Sequence, residues 1–163
     1  MKTLLDNGAP LTLMGRICQD KHGPVHGHAI HAAIFYGKNK ILHKLLESHP
    51  ELIEDKFIPS QESPTLNFTP VLLAISVSGD KVEILKTLLN HGALFDNQNQ
   101  YCKTAIIRMM EHDNAKCFDY LVHLGKIKLM QQLKGKRIAE IIKILNKPNL
   151  NKWLIKHVQW LKE

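Results

Sequence analysis

The sequence predicts an all-α fold, a solenoid of stacked helix-turn-helix units with atypical terminal caps. Three observations carry this expectation. A phrase made of a small-residue turn and two short amphipathic helices is written three times with variations. Each copy closes on apolar residues. The last segment then places Leu150, Trp153, Leu154, Val158 and Leu161 on one helical stripe, as a closing unit would.

The clearest copy opens with Thr69-Pro70-Val71-Leu72-Leu73-Ala74 as a first helix and turns at Gly79-Asp80-Lys81. It continues as a second helix from Val82 to Leu89 and ends at Asn90-His91-Gly92-Ala93. An extra residue around Ser76-Val77-Ser78 lengthens its inter-helix joint. Another copy runs from Thr104 to Gly125, with Asp113-Asn114 at the turn and Tyr120-Leu121-Val122 closing the second helix. The first copy reads His28-Ala29-Ile30-His31-Ala32-Ala33, then Gly37-Lys38, then Ile41, Leu42, Leu45 and Leu46 along its second helix.

These phrases resemble the ankyrin-repeat family, whose signature G-x-T-P-L-H-x-A-A-x-x-G-H is followed by an apolar helix closing in L-L-x-x-G-A, at a period of about 33 residues. The first copy departs from it, with His28-Ala29 where the second has Thr69-Pro70 and the third Thr104-Ala105. The resemblance implies that each repeat contributes a hairpin-like turn and an antiparallel helix pair. It also implies that His31, at the His of T-P-L-H, makes hydrogen bonds that hold the turn.

The chain divides into a single domain over 1–163, with units at 1–27, 28–67, 68–100, 101–126 and 127–163. The first is an N-terminal cap or partial repeat, since Leu4-Leu5-Asp6-Asn7-Gly8-Ala9 resembles Leu88-Leu89-Asn90-His91-Gly92-Ala93. Between Leu46 and Phe68 lie three prolines and no helical period, which predicts an enlarged surface loop. The last unit is a degenerate repeat with helices over Arg137 to Leu145 and Leu150 to Leu161, separated by Asn146-Lys147-Pro148. A stack leaves an apolar face open at each end, so both ends read as caps. Trp153 is expected in the core, and Trp160, off the stripe, at its rim.

At 44% hydrophobic, 163 residues suffice for one core, and no apolar run approaches the roughly 20 residues of a membrane span. Met1-Lys2-Thr3-Leu4-Leu5 runs straight into Asp6, Asn7 and Gly8, without the apolar stretch of a secretory signal. Cys18, Cys102 and Cys117 form no C-x-x-C pair, so reduced thiols and a cytoplasmic location are expected. The net charge of +7 is uneven: residues 126–163 carry ten Lys or Arg against two Glu, and the remainder 12 against 13. Lys134, Lys136, Arg137 and Lys143 represent this basic end, either as a solvated cap or as a docking patch. Nucleic-acid binding is not expected, because only Trp153 and Trp160 supply aromatic rings there and Arg137 is the lone arginine.

No metal, cofactor or catalytic residue is expected. Cys18, His22, His26, His28 and His31 crowd together, but their spacing matches no standard zinc set. No Gly-rich phosphate loop, G-x-S-x-G elbow or H-E-x-x-H helix occurs. Cys102 falls in a turn and Cys117 on a packed helix face.

Ankyrin-type stacks usually meet partners on the concave side, and the resemblance carries that face to a strip of residues here. It comprises Phe35 and Tyr36, then Ser76, Val77 and Ser78, then Gln100, Tyr101 and Lys103 on a turn tip, and Glu111 and His112. Phe35 and Tyr36 are exposed in the pattern although aromatic, and so are the first choice for an interface anchor. The expected function is a noncatalytic, monomeric adaptor that binds a protein partner. The eroded repeats and the Lys-, Ile- and Asn-rich wording add a host-directed effector from an intracellular bacterium as one form of it. Two readings from other classes stay open: binding of nucleic acid or an anionic surface through the basic end, and a small Cys/His-dependent enzyme.

Overall fold

A computed structural model of the chain describes residues 15–20, 23–56, 69–95, 100–133 and 135–157; for residues 18–20, 23–25 and 100–104 it describes the backbone alone. The described chain is mostly helical. In order it forms strands β1 (Gly15–Asp20) and β2 (Gly23–Gly27), helices α1 (Ala29–Phe35) and α2 (Asn39–Ser48), and a 3-10 turn at Pro50–Glu54. There follow α3 (Pro70–Ser76), α4 (Val82–Asn90), α5 (Gln100–Glu111) and α6 (Ala115–His123). The last elements are β3 (Gln132–Leu133), β4 (Lys136–Arg137), α7 (Ile138–Leu145) and α8 (Pro148–His157).

Helix ends follow local chemistry. Pro70 opens α3 behind Thr69, where the missing N–H costs nothing. Gly37, Gly92 and Gly125 have φ of 66°, 89° and 67°, the left-handed conformation that ends a helix, and Asp113 takes the same role at 56°. All four stations make the same pair of bonds: Gly37 N–H to Ile34 O with Lys38 N–H to Ala33 O, and Gly92 N–H to Leu89 O with Ala93 N–H to Leu88 O. Asp113 and Asn114 repeat them on Met110 and Met109, and Gly125 and Lys126 on Val122 and Leu121. Asn146, at φ 48°, ends α7.

The helices pack in two rows. Helix α1 touches α3, α3 touches α5 and α5 touches α7, while α2 touches α4, α4 touches α6 and α6 touches α8. Rungs join the rows through α1 with α2, α3 with α4, α5 with α6 and α7 with α8. The core runs between them: Ile34, Leu42, Leu45, Ile75, Leu85, Leu88, Ile106, Met109, Phe118 and Leu121 are all fully buried. Each such large side chain contributes about 1.5–3 kcal/mol of transfer energy.

Every seam between successive helix pairs also carries a polar tie. Thr87 on α4 donates its hydroxyl to Asn39 Oδ1 on α2 at 2.8 Å. Lys116 on α6 meets Asp80 before α4 at 2.5 Å. Asp113 accepts the Leu150 N–H at the start of α8.

Several expectations need correction. Helix α5 begins at Gln100, so Gln100, Tyr101, Cys102 and Lys103 belong to its first turn rather than to a loop tip. The enlarged loop starts with an ordered 3-10 turn that buries Leu52 against α2. The final helix begins at Pro148, two residues before the expected Leu150. The N-terminal unit holds an antiparallel hairpin, β1 with β2, lying on α1, and a shorter pair, β3 with β4, precedes α7. The extra residue near Ser76-Val77-Ser78 is matched by α3 ending at Ser76 with Val77 extended, which lengthens the joint to α4. Leu4 to Ala9, most of the long loop, Lys134, Val158, Trp160 and Leu161 lie outside the described residues.

Candidate binding face

The expected strip resolves unevenly. Tyr36, the residue ending α1, is 56% exposed. Its hydroxyl donates to the carbonyl of Ile17, the bulge residue that β1 leaves outside the strand register. Phe35 departs from the expectation: it is half-buried and packed against the core, meeting Tyr36 edge-on with ring centres 5.5 Å apart. Only Tyr36 of the pair therefore presents an open aromatic surface.

Ser76 is a second correction. It is buried and donates its hydroxyl to Leu73 O at 3.1 Å, because α3 sits between α1 and α5 and every residue from Pro70 to Ser76 is covered. Val77 packs partly against the core, and Ser78 is exposed. Glu111 and His112 are exposed at the end of α5. Tyr36, Ser78, Glu111 and His112 thus share one edge, the C-terminal ends of α1, α3 and α5. Gln100, Tyr101 and Lys103 lie at the other end of α5, and their side chains are outside the described residues.

The basic end keeps Lys136 and Arg137 exposed on β4 and Lys143 exposed on α7. Arg137 also ends the hairpin locally, its backbone N–H donating to the Glu140 carboxylate at 2.9 Å.

Within the histidine-rich stretch, His28 and His31 meet at Asp55, a residue the sequence did not single out. His28 Nδ1 lies 2.5 Å from Asp55 Oδ2, and the ligand atoms of His28, His31 and Asp55 fall within 4.8 Å of one another. Hydrogen bonding decides against a metal there. His31 Nδ1 accepts the His28 backbone N–H at 3.1 Å, so its proton sits on Nε2, which donates to the Asp55 carbonyl at 3.0 Å. Loading a metal on Nε2 would move that proton to Nδ1, opposite the His28 N–H donor. Burial also holds the His31 pKa below its ordinary value. Both ring nitrogens are thus used to fix the start of α1 and the segment after the 3-10 turn. Among the described residues that leaves His28 and Asp55, too few ligands for a structural zinc site.

Cys117 is buried on α6, and burial raises its thiol pKa to about 11. It holds its proton at neutral pH and supplies no thiolate nucleophile. Between α6 and α8, Lys152, Lys156, Asp119 and Trp153 line a cleft of about 580 Å³; the sequence showed the two lysines only as part of the basic end. No protein-family model matches the chain, and no curated protein matches it.

Proposed function

We propose that the chain is an ankyrin-type repeat protein acting as a noncatalytic adaptor, binding a protein partner along the edge that carries Tyr36, Ser78, Glu111 and His112. The repeat reading is supported by the hydrogen-bonded turn that recurs at Gly37, Gly92, Asp113 and Gly125, by the two rows of helices, and by the His31 bonds at the T-P-L-H position. The observation that carries the binding reading is Tyr36. It is more than half exposed, yet its hydroxyl is tied to Ile17 O. An aromatic ring held in one orientation gives up little entropy when a partner covers it.

No helix among the described residues is long and apolar enough to cross a membrane. A cytoplasmic, monomeric protein is the form this proposal takes, with a host-directed effector as its extension. The test is affinity capture from lysate with wild type, Tyr36→Ala and Lys136→Glu/Arg137→Glu/Lys143→Glu, after all three are shown to fold. A protein lost with the tyrosine change alone supports the adaptor reading. Loss with the charge reversal alone, or recovery of nucleic acid, moves the function to the basic end.

A further inference from the structure

The cleft between α6 and α8 is built from both signs of charge, but its acidic groups are already used. Asp80 pairs with Lys116 at 2.5 Å and accepts the Val82 N–H at 3.2 Å. Asp113 accepts three N–H groups from Asn149 and Leu150. Asp119 accepts the Trp153 indole N–H at 2.5 Å and lies 3.3 Å from His123.

The cations of the α8 wall are left over. Lys152 and Lys156 are exposed, line the cleft, and have no ion-pair partner among the described residues.

We propose that this cleft binds an extended acidic segment of a protein, with carboxylates at alternate positions seated on Lys152 and Lys156. The spacing supports it. One helical turn separates the lysines by about 6 Å of rise, and alternate residues on one face of an extended strand lie about 7 Å apart. The excess of ten Lys or Arg over two Glu across residues 126–163 draws such a segment in. Nucleic acid fits less well. No arginine lines the cleft, and the Trp153 ring is covered, stacked on His157 at 4.7 Å and met edge-on by Phe118 at 5.0 Å. The site stands on its own geometry and does not depend on the ankyrin reading.

Fluorescence anisotropy with a labelled peptide of alternating Glu and Ala tests it, alongside a Gln and Ala control peptide and a labelled oligothymidylate. The Glu peptide should bind wild type, and Lys152→Ala/Lys156→Ala should weaken it at least about tenfold. Lys136→Ala/Lys143→Ala, removing equal charge outside the cleft, should change it less than about twofold. The proposal is overturned if the Glu peptide does not bind, if the two double variants weaken it equally, or if the oligonucleotide binds more tightly through the same two lysines.

Discussion

The Asp113 carboxylate accepts the backbone N–H of Leu150 at 2.9 Å, so a turn residue between α5 and α6 caps the helix that closes the next pair. Asn149 adds its backbone N–H at 3.0 Å and its side-chain amide at 2.9 Å. A carboxylate at a helix N-terminus satisfies orphan donors and complements the helix dipole. Asp113→Ala should therefore lower stability by about 1–2 kcal/mol, a capping loss plus the strain of alanine at positive φ. Asp113→Asn, which tolerates that backbone and keeps an acceptor, should cost less. Urea unfolding of both variants checks the order, and equal losses would contradict it.

Burial lowers the His31 pKa, so the unfolded chain takes up this proton before the folded one as pH falls. The contribution of His31 is complete above its ordinary value of about 6.5 and is lost progressively below it. The urea midpoint should fall between pH 7.5 and pH 5. His31→Gln should start lower and show a flatter profile across the same window. Parallel profiles for the two proteins would place the pH dependence elsewhere.

Cys117 should resist thiol reagents in the native state, because it is buried and its pKa is raised to about 11. In a Cys18→Ser/Cys102→Ser background, 5,5′-dithiobis(2-nitrobenzoate) at pH 8 should label nothing within minutes and one thiol after urea is added. Rapid labelling of the folded protein would show that α6 opens locally.

Tyr36→Phe removes only the hydroxyl that holds the ring to Ile17 O. If orientation of the ring matters for partner binding, this variant should bind more weakly than wild type but more tightly than Tyr36→Ala. The order is read from titrations with the captured partner.

The local grammar of the fold was readable where a residue's own chemistry decides its conformation. Gly37, Gly92 and Gly125 could be placed as turns because glycine takes positive φ freely, and the apolar spacing of Leu42, Leu45 and Leu46 marked a buried helix face. Contacts across long separations decided the rest. Phe35 and Tyr36 are adjacent and chemically alike, and the hairpin lying on α1, which engages the Tyr36 hydroxyl, decides which ring stays open. Ser76 looks like a surface joint in sequence and is buried because α3 has neighbours in its row on both sides. Asp55 gave no local signal, since its meaning is the pair of histidines 24 and 27 residues earlier. Lys152 and Lys156 were visible only as charge, because the partners that neutralise Asp80, Asp113 and Asp119 lie on other elements.

The stacked-pair architecture is tested most directly by hydrogen exchange in Leu121→Ala, which opens a cavity at a fully buried site on α6 and should cost about 2–5 kcal/mol. Protection should fall most in α6 and its neighbours α4, α5 and α8, and least in α1 and α2, which sit at the far end of both rows. Equal loss of protection in every helix would contradict an array held together by nearest neighbours.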